Sequence, residues 1–144
     1  MAKSKIYSTE LSINLKSKSN KEIFKWFLAC LLFGKPIQQQ VAKRTYFEFV
    51  KENLLSPDKI LQAGWDKLVS VLDKGHYVRY DFSTATKLLA ICKDLKVKYG
   101  TISNLIRKAG TSSELNKKLQ EFKGIGPTTA RIFLRDLKKF KVIK

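Results

Sequence analysis

Cysteine and histidine are scarce in this chain of 144 residues, which contains two Cys and one His. Cys30 and Cys92 cannot supply the Cys₄ ligand set of a zinc site or an iron–sulfur cluster, nor a disulfide framework. Both lie among Ala, Leu and Ile, a setting typical of buried reduced thiols in an intracellular protein. We therefore expect no iron–sulfur cluster and no metal site built from side chains.

Long apolar runs are also missing. No run approaches the ~20 residues that a membrane-spanning helix needs. Residues 1–16 lack the apolar core of a signal peptide. These patterns predict an intracellular protein, in the cytoplasm and nucleoid or in the nucleus, with no membrane partner.

Acidic residues are few: 12 Asp and Glu stand against 29 Lys and Arg, so the formal net charge is +17. Such an excess opposes compactness by self-repulsion unless a polyanion neutralises it, and nucleic acid is the leading candidate. The two ends of the chain carry many of the basic residues: Lys3, Lys5, Lys16, Lys18 and Lys21 near the start, and Arg131, Arg135, Lys138, Lys139, Lys141 and Lys144 near the end.

Glycine and proline, with seven and three copies, fall at breaks between stretches of helical apolar periodicity. Ser19 and Glu22 match a capping box, Gly64 is expected to end a short helix, and Gly75 to cap another in the left-handed conformation. No alternating strand pattern is present. We predict an all-α fold: a loosely held basic arm over residues 1–18 and one compact multi-helix domain over 19–144, with roughly eight or nine short helices.

The most specific motif is a glycine turn between two amphipathic stretches, at residues 119–131. Gly124 and Gly126 permit a sharp turn, and Pro127 suits the first position of the helix that follows. A helix N-terminus presents unpaired N–H groups and the positive end of its dipole. The turn therefore predicts a phosphate-binding site formed by backbone N–H groups.

Residues 124–130, Gly-Ile-Gly-Pro-Thr-Thr-Ala, resemble the helix-hairpin-helix motif of the DNA glycosylase superfamily that includes endonuclease III. Weaker blocks follow the family's order at residues 30–41, 63–68, 75–77 and 83–85, so that the resemblance covers about residues 20–137. It implies an endonuclease III-like helical domain that grips duplex DNA at a damaged or flipped base.

The resemblance also implies the roles of the hairpin residues. N–H groups at Gly124, Gly126, Thr128 and Thr129 would contact DNA phosphates, with Arg131 beside them. Family hairpins hold a monovalent cation on backbone carbonyls, which correspond here to Gln120, Phe122 and Ile125.

The family fills the gap left by a flipped base with side chains from two loops. The corresponding positions are Lys35 in the first loop and His76, or its neighbour Tyr77, in the second. Arg79 belongs to the same aromatic and basic loop, whose composition suits stacking and phosphate contact.

Catalysis is the point at which the chain departs from the family. The position of the superfamily's catalytic aspartate lies past Lys144, and the position of the lyase lysine is Thr128, which cannot form a Schiff base. Two other carboxylates are candidates: Asp81, which a helix-cap role also explains, and Asp136, for which a solvated charge pair is expected.

Three functions remain open on the sequence. The first is a DNA-repair protein of the glycosylase superfamily whose base-excision activity is doubtful. The second is a non-enzymatic DNA-binding or architectural module that uses the same hairpin, and the third is an RNA-binding helical protein. Preference for a damaged site separates the first from the second, and preference for duplex DNA over A-form RNA separates both from the third.

Overall fold

The computed structural model describes residues 6–144, and no β-strand occurs among them, which confirms the all-α prediction. Seven α-helices and three short 3₁₀ turns make up this part of the chain. The helices are α1 (Asn20–Phe33), α2 (Gln39–Lys51), α3 (Pro57–Lys74), α4 (Asp81–Lys98), α5 (Ile102–Ala109), α6 (Ser112–Gln120) and α7 (Pro127–Lys139). None of the helices within residues 6–144 combines the length and apolarity needed to cross a bilayer.

The central helix is α1, which packs against α2, α5 and α7. It is buried nearly all round because its apolar residues occupy every face from Ile23 to Leu32. Trp26 donates its indole N–H to the carbonyl of Phe133 on α7 (3.2 Å), and the Phe27 and Phe133 rings meet edge to face. Burial of each such side chain contributes about 2 kcal/mol, so α1 fixes the position of α7.

The start of α1 differs from the predicted capping box. The Ser19 hydroxyl accepts the N–H of Glu22, as expected. The Glu22 carboxylate, however, accepts the N–H of Asn14 (2.8 Å) and the ammonium of Lys25 (2.8 Å) instead of reaching back to Ser19. It therefore ties the preceding segment to α1 and completes no box.

Two predicted breaks flank the second half of α3. The helix is interrupted at Gly64, where φ is 81° and ψ is 171°, so the predicted end of a short helix there is confirmed. The left-handed cap predicted at Gly75 is wrong, because its φ is −84° and the left-handed residue is His76 (φ 69°). Gly75 is required for space: a Cβ there would lie 2.6 Å from the Cα of Thr45 on α2.

We expect Gly75→Ala to lower the free energy of unfolding by about 2 kcal/mol, because the added methyl group must push α2 away from α3. Gly126→Ala is the matched control, since nothing lies within 4 Å of a Cβ at that position. Urea denaturation of the two variants measures the difference. Equal midpoints would contradict the close approach at Gly75.

The amino-terminal arm is a second correction. Residues 6–18 were predicted to be loosely held, but four apolar side chains among them, Ile6, Leu11, Ile13 and Leu15, are buried in the core. The backbone N–H of Ser8 donates to the carboxylate of Asp136 on α7 (2.7 Å). Apolar residues at alternate positions in this segment give it a face to bury. The predicted contribution of residues 1–5, including Lys3 and Lys5, lies outside the described residues.

Candidate nucleic-acid interface

The glycine turn joins α6 to α7 and is anchored by apolar side chains. Leu119, Phe122 and Ile125 are buried, and the N–H of Ile125 donates to the carbonyl of Phe122 (3.1 Å). These anchors hold the rest of the turn at the surface, where Lys123 and Gly124 are exposed.

The two glycines of the turn serve different purposes. Gly124 has φ of +101°, which L side chains rarely adopt, and a Cβ there would lie 2.7 Å from Cδ of Lys87 on α4. Gly126 has an ordinary extended backbone (φ −102°, ψ −174°), and no atom lies within 4 Å of a Cβ built on it. Gly124 therefore lets α4 approach the turn, whereas Gly126 leaves an open space in front of α7.

The N-terminus of α7 has no side-chain cap. The N-cap residue is Gly126, and Pro127 has no N–H to satisfy. The N–H of Ala130 donates to the carbonyl of Gly126. The N–H groups of Thr128 and Thr129 come before this first helical bond, so they have no acceptor within the helix. This geometry suits an anion at the mouth of the turn.

Three elements converge on this turn. Thr129 is buried, and its hydroxyl borders Gly34 at the end of α1, where a Cβ would lie 2.5 Å from Oγ1. Lys35, which follows Gly34, holds its ammonium 5.2 Å from the ring centre of Tyr80, in the turn before α4. Lys87 on α4 crosses Gly124 and donates to the carbonyl of Leu31 (3.3 Å).

We define a basic cluster by four residues that adjoin the turn: Lys87 lies against Gly124, Lys35 follows Gly34 beside Thr129, and Lys123 and Arg131 flank residues 124–130 in the chain. Lys123 and Arg131 are exposed, and Lys35 and Lys87 are half-buried. Burial, and then repulsion by Lys35, lowers the pKa of Lys87 to about 8. We did not predict a role for Lys87 from the sequence, because its position on α4 does not indicate a contact with a turn 37 positions later.

The second loop contains one contradicted prediction. Tyr77 was a candidate to fill the gap of a flipped base, but its side chain is fully buried and its hydroxyl donates to the carbonyl of Leu32. Burial also raises the pKa of the Tyr77 phenol. Tyr77 therefore cannot enter DNA without unfolding the loop, while His76 and Arg79 are exposed.

An exposed aromatic pair adjoins this loop. Trp65 on α3 and Phe82 on α4 lie with ring centres 5.1 Å apart, and Phe82 keeps 60% of its surface exposed. The Trp65 indole donates to the Thr86 hydroxyl (3.1 Å). The sequence alone does not reveal this pair, because its two members lie 17 positions apart on different helices.

The two candidate carboxylates have structural partners. Asp136 is fully buried, not solvated as predicted, and accepts from the Ser8 N–H and from Nε of Arg135 (2.7 Å). The helix-cap role predicted for Asp81 is wrong, because Asp81 is the first residue of α4 and the N-cap is Tyr80, which makes no side-chain cap bond; the Asp81 carboxylate accepts the N–H of Phe82 (2.7 Å). A hydrogen bond to Asp81, followed by burial and by like-charge repulsion, raises the pKa of Asp73. In this structure Asp136 is fully occupied in holding the amino-terminal segment.

Part of the basic surface predicted to track phosphates has another role. Arg135 donates from Nη2 to the carbonyl of Ile6 (2.7 Å) and stacks over the Tyr7 ring, 4.1 Å from its centre. The ammonium of Lys139 lies 5.0 Å from the same ring centre. Arg135 therefore belongs to the packing of the amino-terminal segment.

The carbonyls suggested for a monovalent cation all lie at the turn. Gln120 ends α6 and is exposed, whereas Phe122 and Ile125 are buried side chains whose carbonyls belong to the turn itself. The Phe122 carbonyl already accepts one hydrogen bond, and its second lone pair could serve a cation. Across residues 6–144, no three His, Cys, Asp or Glu side chains cluster as metal ligands.

Neither thiol is exposed to solvent. Cys30 and Cys92 are buried, and burial raises the pKa of Cys30 well above its ordinary value and that of Cys92 to about 12. They are poor nucleophiles in this state.

Comparison with protein-family models, curated proteins and solved structures finds no match to this chain. The case for function therefore depends on the residues and geometry described above.

Proposed function

We propose that this protein is an endonuclease III-like member of the helix-hairpin-helix glycosylase superfamily that binds duplex DNA at damaged or flipped bases. One observation carries the proposal: the start of α7 has no side-chain cap, nothing lies within 4 Å of a Cβ on Gly126, and Lys87 of the basic cluster lies against the same turn. A phosphate at this place would accept from the N–H groups of Thr128 and Thr129. Those hydrogen bonds contact no base, so the affinity they provide is independent of the DNA sequence.

The lesion side of the proposed interface lies at the two loops near the turn. Lys35 and the exposed residues His76, Arg79 and Phe82 supply charge and ring surface there. Stacking of a base on an aromatic side chain contributes about 1–3 kcal/mol, enough to favour a site where a base is already unstacked. A monovalent cation on the Gln120, Phe122 and Ile125 carbonyls would add positive charge behind the phosphate.

The hydrogen-bond partners of Asp81 and Asp136 support a function in DNA binding and not in base excision. Base excision in the superfamily needs an aspartate beside the sugar, and Asp136 is enclosed by Ser8 and Arg135. Asp81 is engaged with Phe82 and Asp73. We therefore propose a protein that recognises a damaged site and has weak N-glycosylase activity or none.

The proposal is tested by anisotropy titrations on three labelled probes of equal length: intact duplex DNA, duplex DNA with one abasic site, and duplex RNA. We expect the abasic duplex to bind at least threefold more tightly than intact DNA, and the RNA duplex most weakly. Log Kd should rise linearly with log salt, with a slope of about 3–5, because the basic cluster neutralises a few phosphates. Tightest binding to RNA would favour the RNA-binding alternative, and equal affinity for the two DNA duplexes would favour a general DNA-binding module.

A further inference from the structure

The aromatic pair of Trp65 and Phe82 presents two exposed rings to a ligand. Phe82 is 60% exposed and Trp65 is 37% exposed, and the hydrogen bond from the Trp65 indole to Thr86 holds that ring in place. The half-buried rings of Tyr7 and Tyr80 lie against cations of the chain itself, at 4.1–5.6 Å from the ring centres. Among residues 6–144, no lysine or arginine stacks over either ring of the pair. The pair is therefore open to a cation from outside the chain.

Three acids border the pair and lack a counter-charge. Asp66 follows Trp65 on α3, and Asp81 precedes Phe82 at the start of α4. Asp73 lies seven positions after Asp66 on the same face of α3, and its hydrogen bond to Asp81, then burial and like-charge repulsion, raise its pKa. None of the three carboxylates forms an ion pair within the part of the chain that the structure describes. Together they make this surface locally negative in a protein with a net charge of +17.

The basic side chains closest in the chain are engaged elsewhere. Lys67 and Lys74, which directly follow two of these acids, both pair with Glu52. Arg79, in the loop before α4, holds its guanidinium 5.6 Å from the centre of the Tyr80 ring. The charge that complements this surface must therefore come from a partner.

We propose that the aromatic pair and its three acids bind an arginine-bearing segment of another protein. A guanidinium suits both parts of the surface, because its plane stacks on an aromatic ring while its N–H groups donate to carboxylates. The three acids repel a phosphate backbone, and the net charge of +17 opposes a second copy of this chain. Phe82 also borders the proposed lesion side, so a bound segment would cover this ring from DNA.

Titration of the ¹⁵N-labelled protein with three synthetic peptides tests the proposal. The peptides are ten residues long and differ at four positions, which are all Arg, all Lys or all Glu. At 0.15 M salt the Debye length is about 8 Å, so contacting charges dominate over the distant charges of the protein. We expect the Arg peptide to shift the Trp65 indole N–H signal, and to bind at least tenfold more tightly than the Glu peptide and about threefold more tightly than the Lys peptide.

Two variants separate the contributions of ring and charge. Phe82→Ala removes the more exposed ring, and the double variant Asp73→Asn with Asp81→Asn removes two carboxylates while keeping their shape. Each should weaken binding of the Arg peptide at least fivefold. The matched controls are Val97→Ala, which truncates another exposed apolar residue of α4, and Asp94→Asn, which neutralises another acid of that helix. Both controls should bind like wild type, and thermal unfolding checks that every variant is folded.

Three results would overturn the proposal. The first is equal affinity for the Arg and Glu peptides, or unchanged affinity in Phe82→Ala. The second is a single-stranded oligothymidine that shifts the Trp65 indole at lower concentration than the Arg peptide, which would assign the pair to base stacking. The third is self-association that Phe82→Ala abolishes, which would assign the surface to a second copy. The peptide titrations contain no DNA, so their failure leaves the proposed DNA-binding function intact, and failure of the duplex titrations leaves this inference intact.

Discussion

We expect Asp136→Ala to lower the free energy of unfolding by about 3 kcal/mol, because it removes a buried carboxylate and leaves the buried N–H of Ser8 without its acceptor. Asp136 is fully buried and accepts from the Ser8 N–H and from Arg135, both at 2.7 Å. Its removal leaves a buried N–H unpaired and a guanidinium without its counter-charge. The amino-terminal segment, which these bonds attach to α7, should then exchange its amide hydrogens faster.

Urea denaturation and amide hydrogen exchange measure the two effects. Asp66→Ala, which removes an exposed acid from α3, controls for the change in net charge and should shift stability by less than about 0.5 kcal/mol. Asp136→Asn should lie between wild type and Asp136→Ala, because an amide oxygen can still accept from Ser8. A loss below about 1 kcal/mol for Asp136→Ala would show that the carboxylate is not the attachment point described here.

Gly126→Val should weaken binding to duplex DNA at least tenfold, equivalent to about 1.4 kcal/mol, with little change in stability. Valine tolerates the extended backbone at this position, and the space around its Cβ is open. The new side chain would instead stand in front of the Thr128 and Thr129 N–H groups and exclude a phosphate. Because the grip reads no base, intact and abasic duplexes should lose affinity by similar factors.

Thr128→Val is the matched control for this variant. It places the same β-branched side chain in the first turn of α7 but keeps the backbone N–H, so we expect affinity within about threefold of wild type, or 0.6 kcal/mol. Anisotropy titrations at one salt concentration compare the three proteins. If Gly126→Val binds as tightly as wild type, the start of α7 is not in the interface.

Local chemistry in the sequence was sufficient to predict several helix boundaries. Ser19 accepts an N–H from the first turn of α1, and Pro127 is the first residue of α7, as expected. Gly64 interrupts α3 as predicted, and the buried Ile125 anchors the glycine turn. These features depend on residues only a few positions apart, so short-range patterns reveal them.

The errors concern partners that are distant in the chain. Asp136 looked like a surface acid because its neighbours are Arg135 and Lys138, whereas its buried partner Ser8 lies 128 positions away. Tyr77 looked exposed within an aromatic and basic loop, yet its hydroxyl reaches the end of α1. Lys87 was overlooked for the same reason, since only the packing of α4 on the turn brings it to Gly124.

The most direct test of the central claim is a ¹⁵N chemical-shift titration of this 16.5 kDa protein with a short duplex that carries a stable abasic analogue. The hairpin clamp predicts that the amides of Gly126, Thr128 and Thr129 move most, because phosphate oxygens accept directly from them. Smaller shifts should follow at Lys35 and Lys87. The claim would be contradicted if these amides kept their chemical shifts while the largest shifts fell on another face of the domain, such as the one where α2 carries the exposed Arg44 and Lys51.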